Sequence, residues 1–329
     1  MKIILSIPGE QHTVPMGGFT VKALQQLGHK VIVFNHDHSG LFESAFNKLS
    51  HQGLIDHKNN KLMDLIEKEK PDLFFSIYGR PHPAIFIEKI KAKGILTVCW
   101  WLNDPFKLPF EEMDAAPAYD YVFSNSAGAK DIYRKNGVKN IHFLPVGIDQ
   151  DVHKDLHIEN KKYDIVLAGD HHPVREKAVE FLINKGFNVA VLGPWKRKIS
   201  KDSVIMPHLV HNRVFSPQQM VEAYNDAKIV FNIHTWIDRF DYGVNPRLFE
   251  ASGCGAFQVS DNKAEISLFF TDKKDIVLYP SLEALPEILT YYLSHDEERK
   301  AIAAAAFITS QKHTYINRMK ELLAVCNKG

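Results

Sequence analysis

Residues Gly243 to Gly255 read GVNPRLFEASGCG. A β-like run, Ile229 to His234, precedes this stretch, and a second run, Ala256 to Ser260, follows it. Between the two lies a Gly-Val-Asn-Pro loop, then a short helix on which Arg247 and Glu250 are three apart and so share a face. Asn245 is placed to cap that helix, and Pro246 suits its first turn. Gly253 and Gly255 end it and let the next strand come close. An Arg at a helix start suits a phosphate, and a Glu suits ribose hydroxyls. An ordinary surface ion pair has the same spacing, so the surrounding chain has to decide between the two.

At 329 residues, the chain is long enough for two domains. With 45% hydrophobic and 24% charged residues it has the composition of a soluble globular protein. A net charge of +1 gives no global field that would argue for nucleic acid or membrane. The opening MKIILSIPGE has too short an apolar run for a signal peptide and reads as a first strand. No run approaches the roughly 18 apolar residues of a membrane helix, so no stable membrane insertion is expected. The three cysteines, Cys99, Cys254 and Cys326, are scattered, with neither a disulfide framework nor zinc spacing, and the cytoplasm is the expected compartment. The 17 histidines, including His36, His38, His171 and His172, sit on no ligand-spaced scaffold, and no metal site or cofactor is expected.

Outward from the opening stretch, the chain alternates strand and helix in both directions. Lys2 to Ile7 is a strand, Met16 to Leu27 has helical apolar spacing, and Val31 to Phe34 is a strand, a βαβ opening. Gly17-Gly18 lacks the dinucleotide fingerprint; the pair serves either as a tight turn or as a close approach to a ligand phosphate. Lys61 to Lys70 reads as helix, Asp72 to Ile77 as strand, Pro83 to Lys93 as helix and Ile95 to Trp101 as strand. Strands at Tyr119 to Ser124 and Ile141 to Leu144 flank a helix at Ala127 to Asn136. The strands are continuous apolar runs, as in a parallel sheet buried on both faces. Pro145 to Leu156, PVGIDQDVHKDL, has little periodicity and marks a domain boundary. A second alternation follows: strand Asp164 to Ala168, helix Pro173 to Lys185, strand Asn188 to Leu192, a loop at Pro207 to Phe215, helix Pro217 to Asp226 and strand Lys228 to Asn232. Beyond the opening stretch come an apolar run near Ile276 to Tyr279 and helices from about Leu282, Glu297 and Tyr315. The expected architecture is α/β, with Rossmann-like domains at 1–148 and 149–312 facing a central cleft, and a terminal helix at 313–329.

This arrangement resembles the GT-B class of glycosyltransferases. Within that class the second half is similar to CgeB-like proteins, the group named for a spore maturation protein. The residues that carry the likeness are Val166 to Gly169, Arg175, Leu192-Gly193-Pro194, Tyr224 with Ala227, and Asn245-Pro-Arg-Leu-Phe-Glu250 followed by Gly253-Cys-Gly255. In the first half, Trp100-Trp-Leu-Asn-Asp-Pro105 matches the same group. A more distant likeness is to phage DNA β-glucosyltransferases, also GT-B. It rests on Arg175-Glu176-Lys177 with Val179 to Leu182, on Arg247 with Glu250, and on Asp104 followed by Leu108-Pro109-Phe110.

The resemblance implies transfer of a sugar from a nucleoside-diphosphate sugar, UDP-sugar favoured, to an unidentified acceptor hydroxyl. It implies that the last helix crosses back to the first domain. The nucleotide sugar is then held by the second domain through Gly169, Arg175, Lys177, His234, Tyr242, Asn245, Arg247 and Glu250. The acceptor faces the first, at Gly17, His82, Trp101 and Asn103. Asp104 becomes the base candidate; Asn103-Asp104-Pro105 is also strong turn chemistry. His12, in the loop after the first strand, is the competing base. Retaining GT-B enzymes carry a Glu where this chain has Tyr242, which points to inversion. Two alternatives accompany this reading: a glucosyltransferase acting on modified DNA bases, for which Trp195-Lys-Arg-Lys198 and Lys201 would supply phosphate contacts, and a nucleotide-sugar-binding protein without transfer.

Overall fold

The computed structural model describes residues 1–9, 15–36, 43, 50–79, 81–106 and 111–327. The described residues up to Pro145, together with the last helix, make one compact unit, and Val146–Thr314 makes the other. Each unit holds a six-stranded sheet whose paired strands all run parallel.

Unit 1 runs β1 (Lys2–Ile7), α1 (Met16–Gln26), β2 (Lys30–Asn35), α2 (His51–Glu69), β3 (Leu73–Ile77), α3 (Ala84–Lys91), β4 (Leu96–Trp101), β5 (Tyr121–Ser124), α4 (Lys130–Lys135) and β6 (Ile141–Phe143). The strand order is β2-β1-β3-β4-β5-β6. The chain therefore steps one way from β1 to β2 and the other way to β3, and the order reverses between β1 and β3. All five residues of β3 are buried, as the continuous apolar run required. Helix α2 begins ten residues before the expected start at Lys61. The Ser50 side chain accepts from the Gly53 N–H at 2.9 Å and nucleates turns whose polar composition carries little apolar period. Gly17 does not form a turn. It lies inside α1, where a Cβ would stand 3.0 Å from Ile7 Cγ2, so its small size lets the helix sit directly on β1.

Unit 2 runs β7 (Tyr163–Ala168), α5 (Pro173–Asn184), β8 (Val189–Leu192), β9 (Leu209–His211), α6 (Pro217–Asn225), β10 (Ala227–Asn232), α7 (Arg247–Gly253), β11 (Gln258–Asp261), β12 (Val277–Tyr279), α8 (Leu285–Ser294) and α9 (Asp296–Ser310). Its strand order is β12-β11-β10-β7-β8-β9, reversing between β7 and β10. Alternate residues of β7 feed opposite faces. Ile165 and Leu167 join a core with Leu182, Phe257 and Leu289, while Val166 and Ala168 join one with Met220, Tyr224 and Ala251. Strand β9 replaces the expected loop at Pro207 to Phe215; three partly exposed edge residues are too few to show a period. Ser216 and Gln219 form a reciprocal capping box at the start of α6.

The last helix, α10 (Tyr315–Cys326), belongs to unit 1 and packs on α1. Its buried Tyr315 ring lies 5.2 Å from Phe19 and 6.2 Å from Trp100. Among the described residues no helix is long and apolar enough to cross a membrane. Truncating Tyr315 to Ala empties this aromatic contact, and urea denaturation is expected to show a loss of about 3 kcal/mol in the stability of unit 1.

Candidate functional site

In open parallel sheets, ligands bind beyond the carboxyl ends of the strands, where the strand order reverses. In unit 2 that place is the gap between β7 and β10. Gly169 follows β7, and a Cβ there would stand 2.7 Å from Arg175 Nη1, so only glycine lets the guanidinium lie against the backbone. Arg175 is half-buried and donates from Nη1 to the Asp170 carbonyl at 2.8 Å. Trp195, fully buried, donates from Nε1 to the Gly169 carbonyl at 2.8 Å and fixes the same turn. His172 caps α5 by accepting from the Val174 N–H at 3.2 Å, with Pro173 in the first turn.

Arg247 enters from α7. Its Nε donates to the Ala168 carbonyl at 3.2 Å, and its Nη1 contacts Met220 Sδ at 3.1 Å and pairs with Glu250 Oε2. The guanidinium lies 5.8 Å from the Phe215 ring centroid. Burial alone would lower the Arg247 pKa, but the Glu250 carboxylate, together with Tyr224 and Asp170, outweighs it and holds the group above its ordinary value. Arg175 has no carboxylate in direct contact among the described residues, and Asp170 and Asp261 act on it only from farther off. Burial first, then the like charge of Arg247, pull its pKa down to about 10. Two guanidiniums thus share one corner in which Glu250 is the carboxylate in direct contact and the Asp170 charge acts on both from farther off. Glu250 is 2% exposed, and its Oε1 makes no hydrogen bond among the described residues.

The loop joining β10 to α7 is held by a buried polar network. The Asn245 N–H donates to His234 Nε2 at 3.1 Å, so that nitrogen is an acceptor and Nδ1 carries the proton given to Asp261 Oδ1 at 2.8 Å. The His234 N–H donates to the same oxygen at 2.9 Å. The Asn245 side chain donates to Asn232 Oδ1 at 2.9 Å and accepts from the Leu248 N–H at 3.3 Å, capping α7 as its position suggested.

Several expected site residues stand elsewhere. His234 is fully buried with both ring nitrogens engaged, so it braces the loop and presents nothing to a donor sugar. Lys177 is exposed and lies near Glu283; two positions along α5 from Arg175, it faces away from it. Tyr242 is half-buried with its ring 5.2 Å from Phe240, and its carbonyl accepts from Trp236 Nε1 at 2.9 Å. Lys196, Arg197, Lys198 and Lys201 are exposed.

In unit 1, Asp104 is 1% exposed, and its Oδ2 accepts from the Ser124 hydroxyl at 2.6 Å and the Tyr133 hydroxyl at 2.9 Å. A base must be reached by the hydroxyl it deprotonates. This carboxylate is instead an interior acceptor tying β4 to β5 and α4. Trp101 is buried and provides no platform, and Asn103 is half-buried beside it. His12 and Leu108 to Phe110 lie outside the described residues. His82, fully buried, belongs to a chain of hydrogen bonds at the carboxyl ends of β1 to β3. It contacts Asn59 Oδ1 through Nδ1 at 2.7 Å and Ser6 Oγ through Nε2 at 2.8 Å; Ser6 Oγ in turn meets His36 Nδ1 at 2.8 Å. Burial and then the Lys58 charge lower the His36 pKa to about 3; burial and then His36 push that of His82 well below the ordinary range. The partners Asp261, Trp195, Met220 and Phe215, and the Ser6–His36 link, escaped the sequence reading because each is far along the chain and of a residue type that packs as readily as it binds.

A family model described as glycosyl transferase-like matches residues 175–324. The fold is that of the GT-B glycosyltransferases, and the match lies over unit 2 and the last helix. It is similar to the spore protein CgeB of Bacillus subtilis, 24% identical over 298 residues, 84% of this chain and 92% of that one. Its fold is similar to that of HepE from Anabaena, solved in complex with UDP and glucose, with a TM-score of 0.70 at 13% identity over 100% of both chains. It is likewise similar to that of sucrose-phosphate synthase from Thermosynechococcus elongatus, with a TM-score of 0.73 at 12% identity over 100% of both chains.

The unit 1 histidines generate a pH dependence. A histidine with an ordinary pKa of 6.5 that is held near 3 in the fold takes up its proton in the unfolded chain first. Its contribution is fully present above pH 6.5 and is lost as pH falls towards 3. Denaturation midpoints of unit 1 are therefore expected to drop on acidification across that window, with a slope of up to about 1.4 kcal/mol per pH unit for each such histidine.

Proposed function

We propose that the chain transfers a sugar from a UDP-sugar to an acceptor hydroxyl, with the diphosphate on Arg175 and Arg247 and the ribose hydroxyls on Glu250. The observation that carries this reading is the pair of guanidiniums at the β7/β10 reversal, where burial and then Arg247 lower Arg175, and where Arg175 has no carboxylate in direct contact among the described residues. A diphosphate supplies the missing counter-charge. Glu250 keeps one oxygen available for hydroxyl groups while the other steadies Arg247. The N-terminus of α5, opened by Pro173, adds its dipole to the same corner. As the sugar leaves, negative charge grows on the diphosphate, and cations already in place stabilise it without reorganising. The uridine choice draws support from the similar fold of HepE, which was solved with UDP. With Tyr242 at the position where retaining enzymes carry a Glu, inversion is the stereochemistry proposed.

Calorimetric titration with UDP tests the donor site. Arg175→Ala is expected to weaken UDP binding by at least about tenfold, whereas Lys177→Ala leaves it unchanged. Equal losses in the two variants, or none in either, contradict the assignment. Slow release of glucose from UDP-glucose by the wild-type protein separates an enzyme from a binding protein; UDP binding without any turnover of the donor favours the latter.

A further inference from the structure

Unit 1 has its own strand-order reversal, between β1 and β3, and the Ser6–His36–His82 chain sits on it. Ser6 is the penultimate residue of β1 and lies in register with Phe34 of β2 and Ser76 of β3. His36 directly follows β2, and His82 follows β3. The direction of every hydrogen bond in the chain can be read from its far end. The Pro81 carbonyl can only accept, so the group that Asn59 turns to it at 2.6 Å is its amide NH2. Asn59 Oδ1 therefore faces His82 and accepts from Nδ1–H. His82, neutral, then has a bare Nε2, which takes the proton of the Ser6 hydroxyl. Ser6 has no second proton, so its oxygen accepts from His36 Nδ1–H. Neutral His36 is left with an unprotonated Nε2, and that nitrogen has no hydrogen-bond partner among the described residues although His36 is only 4% exposed.

We propose that His36 Nε2 receives a hydroxyl of the acceptor substrate at the β1/β3 crevice, positioning it by accepting its proton in a hydrogen bond. This rests on the reading that unit 1 receives the acceptor. The Asn59–His82–Ser6 chain fixes the tautomer, so the site selects for a ligand that brings a proton. At Nε2 a phosphate or carboxylate brings lone pairs against a lone pair and is disfavoured, and the nearby Lys58 ammonium is already engaged by the His36 carbonyl and Glu43; a neutral polyol such as a sugar fits. The low pKa of His36, caused by burial and then by the nearby Lys58 charge, keeps the imidazole neutral and makes it a hydrogen-bond acceptor and not the base that carries the proton away.

Nitrogen NMR of the histidine-labelled protein, titrated with methyl β-glucoside as the probe, tests the proposal. His36 should show a protonated Nδ1 and a bare Nε2 at neutral pH, and the glycoside should shift the Nε2 resonance. His36→Asn keeps a donor towards Ser6 but removes the acceptor, and is expected to weaken glycoside binding about tenfold; His36→Gln, which can return an oxygen near the Nε2 position, should recover most of it. A protonated Nε2, a glycoside that leaves the resonance unmoved, or wild-type affinity in His36→Asn overturns the proposal. Calorimetry with UDP on the same variants should be unchanged. Loss of UDP binding in the wild-type protein would sink the donor reading instead, and leaves the glycoside result standing by itself.

Discussion

Two like charges held close together need a reason to stay. In unit 2, Arg175 and Arg247 meet where β7 and β10 diverge, and their placement depends on backbone: each donates to a carbonyl at the end of β7, Asp170 and Ala168. Gly169 makes the first contact possible, since a side chain there would occupy the space of the guanidinium. Glu250, one turn from Arg247, pairs with that cation directly, whereas Arg175 feels the Asp170 and Asp261 charges only from farther off. The fold maintains this arrangement with buried structure all around it. Trp195 locks the Gly169 turn, Met220 and Phe215 close over Arg247, and the His234–Asp261–Asn245 network fixes the loop that delivers α7. Removing one partner from such a network leaves another buried polar group unpaired, which is why it is rigid.

Unit 1 solves a different problem at a strand-order reversal of its own. Its reversal point carries a neutral hydrogen-bonded chain, with the Lys58 ammonium on the His36 carbonyl beside it, and the chain from Pro81 to His36 runs in one direction, each donor satisfying the next acceptor. A site of this kind favours hydroxyls as the site of unit 2 favours anions. A glycosyltransferase has to recognise both chemistries, a diphosphate that leaves and a hydroxyl that arrives.

The parts of this account that were legible in the sequence are those whose geometry is local. Arg247 and Glu250 share a face because helices repeat every 3.6 residues, and the strand–loop–helix frame around them could be read from continuous apolar runs bounded by Gly and Pro. Arg175 was legible through the family likeness, and its place in the first turn of a helix, where a purely decorative cation is disfavoured, agrees with it. Lys177 shared that signal, and only the two-residue spacing from Arg175 turns it outward. His234 looked like a ligand because it follows a strand; its partner Asp261 is 27 residues on and converts it into a brace. Asp104 was misleading for a similar reason: turn chemistry put a carboxylate after β4, but Ser124 and Tyr133, from two later elements, bury it. The Ser6–His36–His82 chain depends on the register of three strands at once, which no short window of sequence contains.

The central claim is that unit 2 binds a nucleotide chiefly through its diphosphate, between two arginines. The most direct measurement is the affinity of the protein for UDP, UMP and uridine under identical salt conditions. The account predicts a steep fall along the series, by at least about tenfold for each phosphate removed. Uridine binding as tightly as UDP would contradict it.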